Sequence, residues 1–296
     1  MGKKIIVLKF GGTSVSSYKN WRHIMNIINK HVQLFKVVIV ISALTGITDK
    51  LVSISSTNTS TEIKEKLVRE INEQHLLLAA DCGVEVSDSI RIGCDDITEL
   101  YKKINCDYDP LIASNIIAYG ELLSTRLGIA VLNKMYVNCS LIDTRDIIRV
   151  NYDKTKTLHS NFLDAEINYN QLKDVSFEQD IVLMPGFICS KMYNGKYRTC
   201  LMGRGGSDTC GSLIAYMTNA ELYEIYTDVD GVYDSDPNKN DNAVLKIKLT
   251  YDEAYNLALG GAKILHHKCI SPLKAKRILC IVKNVNESKC HTTIYF

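Results

Sequence analysis

Lys9 stands directly in front of two glycines and two hydroxyls, in the stretch Lys9-Phe10-Gly11-Gly12-Thr13-Ser14. Glycines let backbone N–H groups approach an anion, and a helix N-terminus favours negative charge. The stretch is therefore either a phosphate cradle or a structural turn between a strand and a helix. It matches neither familiar glycine pattern: a P-loop places its lysine after the second glycine, and a dinucleotide fingerprint needs a third. In Gly203-Arg204-Gly205-Gly206-Ser207-Asp208 an arginine sits between glycines. Its planar fork suits a carboxylate or phosphate, and Ser207 or Asp208 is placed to cap the helix that follows. Glu121 interrupts an otherwise apolar helical run. There it needs either a lysine or arginine partner or a bound cation. Thr227-Asp228 ends a strand-like run and opens a loop rich in Asp and Gly, either a wall of a site or a turn with Asx caps. Lys263 again follows glycines. No Ser-His-Asp or Cys-His arrangement and no metal-ligand spacing stands out, and His266-His267 point different ways on a helix. Scattered cations and glycine turns suit phosphoryl transfer, which needs positioning and charge neutralisation.

These residues need strands and helices to hold them. Strand-like runs cover residues 4–10, 36–42, 137–142, 180–184, 221–229 and 278–285, the last of these being the final strand-like run. Helical spacing covers 17–31, 62–82, 110–133, 208–219 and 251–259; Trp21, Ile24, Met25, Ile28 and Val32 mark the first. The alternation predicts a mainly parallel sheet with helices on both faces. The polar stretch 53–61 ends one helix and starts another. Asn194-Gly195 between two strand-like runs predicts a hairpin. A lobe boundary is expected near residues 180–200.

The chain has 296 residues, 46% of them hydrophobic, and a net charge of +2. Such a balance offers no strong field for nucleic acid or an acidic membrane. The longest apolar runs are far too short to span a bilayer, and a strand begins too early for a signal peptide. The ten cysteines form no C-x-x-C pair. They are expected to be mostly buried, reduced thiols in a cytoplasmic protein.

In order, "KFGGTSV", "SALTGIT", "GELLS", "GFI", "GRGGSD", "YTDVDGVYDSDP" and "GAKILH" closely resemble the aspartate kinases of the amino acid kinase superfamily, from Lys4 to about Thr293. The resemblance implies an α/β fold, a three-layer α/β/α sandwich around a mainly parallel eight-stranded sheet. It implies one domain over residues 1–296, with an amino acid lobe over about 1–200 and an ATP lobe over about 201–296. The implied reaction converts ATP and L-aspartate to 4-phospho-L-aspartate and ADP, the first step toward lysine, threonine and methionine. Mg²⁺ is carried by the ATP rather than by protein side chains. By resemblance, Lys9 lies beside the transferring phosphate, and Asp208 organises that catalytic lysine. Ser42, Ala43, Thr48, Glu121 and Arg204 hold aspartate, the glutamate facing its ammonium and the arginine its α-carboxylate. Gly11, Gly12, Thr13 and Ser14 line the phosphate path, and Thr227, Asp228, Tyr233, Asn238, Lys263 and Ile264 contact the nucleotide. A homodimer is implied, with a separate regulatory subunit as an alternative route to control.

Three departures qualify the resemblance. Asn238 replaces an arginine common after Asp-Pro, and His267 replaces a proline. The family's usual regulatory tail, a pair of ACT modules, is expected to be missing, since too few residues follow the last strand-like run to build one. The expectation is an enzyme insensitive to lysine, threonine and methionine. A sister kinase acting on another acid is disfavoured by Glu121 with Arg204, which suit an α-amino acid. A silent partner subunit is disfavoured by Lys9, Lys263 and Asp208.

Overall fold

The structure, a computed structural model, describes residues 3–104, 107–135, 139–235, 237, 240, 242–259, 266–286 and 289–296. In chain order come β1 (Lys4–Phe10), α1 (Gly12–Val15), α2 (Tyr18–Val32), β2 (Phe35–Ile41), α3 (Ile47–Ser55), α4 (Thr61–Cys82), α5 (Ser87–Tyr101), α6 (Pro110–Met135) and β3 (Cys139–Leu141). Next are α7 (Thr144–Ile147), β4 (Arg149–Asn151), α8 (Leu158–Phe162), β5 (Ile181–Pro185), β6 (Ile188–Tyr193), β7 (Lys196–Leu201), α9 (Gly206–Met217) and β8 (Leu222–Thr227). The last are β9 (Val232–Tyr233), β10 (Leu245–Lys246), β11 (Lys248–Thr250), α10 (Tyr251–Leu259), α11 (His267–Ala275), β12 (Leu279–Asn284) and β13 (His291–Tyr295).

Eight strands form one sheet in the order β11-β13-β12-β8-β1-β2-β5-β3. Every neighbouring pair is parallel except β12 and β13. The central strands are largely apolar because both faces are covered, with Lys9 of β1 and Glu224 of β8 as buried charged exceptions. On β1, Ile6, Leu8 and Phe10 join one core with Trp21 and Ile24 of α2, Leu51 of α3, Ile71 of α4 and Leu127 of α6. Val7 joins the opposite core with Ile214 of α9 and Leu273 of α11. Helices α2–α6 thus cover one face, and α9 and α11 cover the other, giving the expected three layers.

The hairpin forms as expected. Asn194 and Gly195 both have positive φ, 49° and 74°, the pair of left-handed residues that a two-residue turn requires. It joins β6 to β7 in a separate three-stranded sheet with β4. Two expectations need correction, and one helix was not anticipated. The final strand is β13, beyond residues 278–285; it runs antiparallel to β12 and parallel to β11 at the sheet edge. Helix α5 fell in an unassigned stretch: Ile90, Cys94, Ile97 and Tyr101 are buried at helical spacing, but acids between them mask the pattern. Helix α9 is capped by Gly205, in a left-handed conformation, rather than by Ser207 or Asp208, which lie in its first turn.

Among the described residues no cysteine forms a disulfide, and all nine but Cys290 are buried. Among the described residues no helix is long and apolar enough to cross a membrane.

His75, on α4, is fully buried. Its Nδ1 lies 2.8 Å from the Ile71 carbonyl, while Nε2 has no hydrogen-bond partner. Burial lowers its pKa from 6.5 to about 4. The unfolded chain takes up a proton below pH 6.5, and the folded chain resists until about pH 4. Stability present above pH 6.5 is therefore lost as pH falls through this window, by about 2 kcal/mol at pH 5. Denaturant midpoints at pH 7 and pH 5 should fall further for the parent than for His75→Gln; an equal fall would contradict this assignment.

Candidate active site

Ligands of open α/β sheets bind outside the carboxyl ends of the strands. Here four adjacent strands, β8, β1, β2 and β5, open on one cleft of about 730 Å³. β1 delivers Lys9, Gly11, Gly12 and Thr13, and β2 delivers Ser42, Ala43 and, at the start of α3, Thr48. β8 delivers Thr227 and Asp228, while α6 adds Glu121 from the side. β7 leads into the Gly203–Asp208 stretch, which brings Arg204 and Asp208 to the same cleft.

Lys9 is the penultimate residue of β1 and is 8% exposed. Its ammonium lies 2.6 Å from Asp208 Oδ1, in the first turn of α9. Gly11 then breaks the strand and precedes α1; its N–H donates to the Tyr226 carbonyl at 3.2 Å. Gly12 permits a close approach between loops, since a Cβ there would stand 2.8 Å from the Ala43 carbonyl oxygen. The Gly205 turn is similarly constrained: φ is 68°, and a Cβ would meet His266 at 2.3 Å. Arg204, between these glycines, is exposed, with no ion-pair partner among the described residues.

Glu121 is 3% exposed. Oε1 accepts the Ala43 N–H at 3.2 Å, and Oε2 is buried with no partner. Burial pushes its pKa up to about 8, against the pull of backbone N–H groups and the Lys9 charge. No described lysine or arginine forms an ion pair with it, so the choice left open by the sequence falls away from an internal salt bridge. A buried acid held this way can take a ligand cation.

Thr227 donates its hydroxyl to Asp228 at 3.0 Å. Asn284 Nδ2 holds the Asp228 carbonyl at 3.2 Å and Asp230 Oδ1 at 3.0 Å. Ser14 is not at the cleft surface: it is buried and spends its hydroxyl on the Tyr226 carbonyl at 3.3 Å. Tyr233 pairs with Leu245 in the two-stranded β9–β10 ribbon and is not among the residues that line the cleft. Asn238, Lys263 and Ile264 lie outside the described residues.

Sequence reasoning missed Asp49, Ser207 and Phe187, all of which line the cleft. Phe187 has φ 64°, a strained value for a bulky residue, and its ring fills the space where a Gly206 side chain would go. Its position just past the carboxyl end of β5 was the available signal. A second cavity of about 450 Å³ lies between α5 and α6. Within it Arg145 pairs with Asp143 at 2.6 Å, and Tyr119 donates to Asp96 at 2.8 Å. None of the residues singled out from the sequence lines it.

Known proteins resemble this chain in sequence and fold. The lysine-sensitive aspartokinase 3 of Escherichia coli is 30% identical, over 98% of this chain and 64% of that protein. A bifunctional aspartokinase/homoserine dehydrogenase of Buchnera aphidicola is 28% identical, over 97% of this chain and 36% of that protein. The chain thus spans less than two thirds of each of these two relatives. The solved structure of E. coli aspartokinase III in complex with aspartate and ADP superposes with a TM-score of 0.85 and 25% identity, covering 99% of this chain and 64% of that one. A model of the amino acid kinase family matches residues 4–284. That span runs from the first residue of β1 to the last of β12, and on that extent the chain belongs to the amino acid kinase family.

Proposed function

We propose that the protein is an ATP-dependent kinase that phosphorylates the β-carboxylate of L-aspartate, giving 4-phospho-L-aspartate and ADP. The observation that carries this reading is the unpartnered, buried Oε2 of Glu121 beside the Lys9–Asp208 pair. An acid so placed asks for a cation, and the exposed Arg204 across the cleft asks for an anion. An α-amino acid supplies both, its ammonium to Glu121 and its α-carboxylate to Arg204. Thr48, Ser42 and Ala43 would close around the rest of it. The reading draws support from the E. coli relative, which was solved with aspartate and ADP.

The nucleotide would lie toward β8, against Thr227 and Asp228, with its phosphates over Gly11, Gly12 and Thr13. A division into amino acid and nucleotide parts near residue 200 would then be crossed twice: Lys9 and the Gly11–Thr13 turn would reach the phosphates, and Arg204 would reach back to the acid. The β-carboxylate has an ordinary pKa of about 3.9 and is ionised at pH 7, so no general base is required. Its oxygen attacks the γ-phosphorus, and the bond to the bridging oxygen breaks as ADP leaves. Two anions must approach one another. Lys9, held in line by Asp208, meets the transferring phosphoryl charge. Mg²⁺ would arrive on the nucleotide and neutralise further phosphate charge when bound. The free thiols support a reducing compartment such as the cytoplasm.

Trapping the acyl phosphate with hydroxylamine tests the assignment, with aspartate, glutamate and N-acetylglutamate as acceptors. Hydroxamate is expected with aspartate and ATP. Formation with another acceptor and none with aspartate would overturn it.

A further inference from the structure

Glu224 is a buried acid that the chemistry above does not use. It sits in β8 and is 1% exposed. It pairs in register with Leu8 of β1, while its neighbour Ile225 pairs with Lys9. Side chains alternate along a strand, so Glu224 faces the α2 side and Lys9 faces the α9 side. Three donors converge on the carboxylate. The Tyr226 hydroxyl donates at 2.6 Å, His31 Nε2 of α2 lies at 3.1 Å, and Lys283 of β12 forms an ion pair. Burial opposes its charge, but His31, Lys283 and Tyr226 together hold its pKa at about 2.

Each strand partner leads to the cleft. The Tyr226 ring stacks on Phe10 with centroids 4.9 Å apart. The Tyr226 carbonyl holds both the Gly11 N–H and the Ser14 hydroxyl. Thr227 and Asp228 follow directly and line the cleft. Lys283 precedes Asn284, which grips Asp228 and Asp230. One carboxylate therefore ties together the carboxyl ends of β1, β8 and β12. A buried ion cluster is weak evidence for stability, because well-packed apolar side chains often do as well. The geometry instead fits a role in spacing.

We propose that Glu224 is a positioning residue for the nucleotide: through Tyr226 and Lys283 it sets the distance between the Gly11–Gly12 turn and the Thr227–Asp228 loop. The proposal rests on the kinase reading for the ligand on that side of the cleft, but its test reads nucleotide affinity directly. Two variants serve. Glu224→Gln keeps the shape and loses the charge; Tyr226→Phe keeps the ring and both charges and loses one hydrogen bond. Calorimetric titration with Mg·ADP gives Kd, and steady-state rates give the KM of ATP and of aspartate. Both variants are expected to raise Kd and the KM of ATP about tenfold, the size of one hydrogen bond to a charged group. The KM of aspartate should stay within about twofold. A lower Tm with unchanged Mg·ADP affinity, or an equal rise in both KM values, would overturn the proposal. If Glu224→Gln does not fold, Tyr226→Phe decides by the same readings. A wild-type chain that binds Mg·ADP but turns over no aspartate would sink the reaction assignment alone, and the affinity readings would still decide this inference.

Discussion

Lys9→Ala is expected to lower kcat by about a hundredfold to a thousandfold, the usual cost of removing one preorganised donor to developing charge. Aspartate binding should survive, because the ammonium of Lys9 is engaged by Asp208 at 2.6 Å and the amino acid is read by Glu121 and Arg204. The loss should fall on kcat and on the nucleotide. Removing the lysine leaves the Asp208 carboxylate, with its side chain 15% exposed, facing an incoming polyphosphate without its counter-charge. Lys9→Ala/Asp208→Asn should therefore be less damaging than the product of the two single effects, since contacting residues are not additive. Steady-state kinetics with calorimetric aspartate binding checks both statements. A Lys9→Ala enzyme with more than half of wild-type kcat would remove Lys9 from the mechanism.

The cleft was legible where chemistry sits at a break in a pattern. The run Ile5–Leu8 reads as a buried strand, so Lys9 and the glycines after it mark its carboxyl end. Glu121 was legible as a charge in an apolar helix, and Thr227-Asp228 as the end of another apolar run. Arg204 stood out because glycines on both sides leave nothing for it to pack against. What failed to show depended on contacts between distant segments. Phe187 lines the cleft through a left-handed backbone that its residue type does not announce. Gly205 took the cap of α9 from Ser207 and Asp208 because the turn needs φ > 0, which glycine adopts without strain. Glu224 reads as one polar residue within a strand; its role emerges only when β12 and α2 bring Lys283 and His31 to it. Strand β13 lies where "HTTIYF" shows alternation too short to stand apart from the tail.

Glu121→Gln should separate binding of the amino acid from binding of ATP, and pH should tune the difference. In the empty cleft, burial holds the Glu121 pKa at about 8, so near neutrality the group carries a proton. A ligand ammonium favours the ionised form, and binding must release that proton. The KM of aspartate should therefore fall as pH rises from 6 toward 8, by up to about tenfold per unit, and then level. The other charged groups lining the cleft are Lys9 from β1, Asp49 from α3, Arg204, Asp208 from α9 and Asp228 after β8. His266, packed on Gly205, has its pKa lowered from 6.5 by burial. Glutamine preserves the shape and can keep the Ala43 N–H bond, but it cannot ionise. Losing one partner of a desolvated charge pair costs about 2–5 kcal/mol. At pH 8 the variant should thus show a KM for aspartate at least about thirtyfold higher, with the KM of ATP little changed. At pH 6 the gap should largely close, because the parent then pays the deprotonation cost that the variant never meets. A gap of constant size across this range would mean that Glu121 is ionised in the empty cleft, and the ammonium would then have to bind a carboxylate already charged.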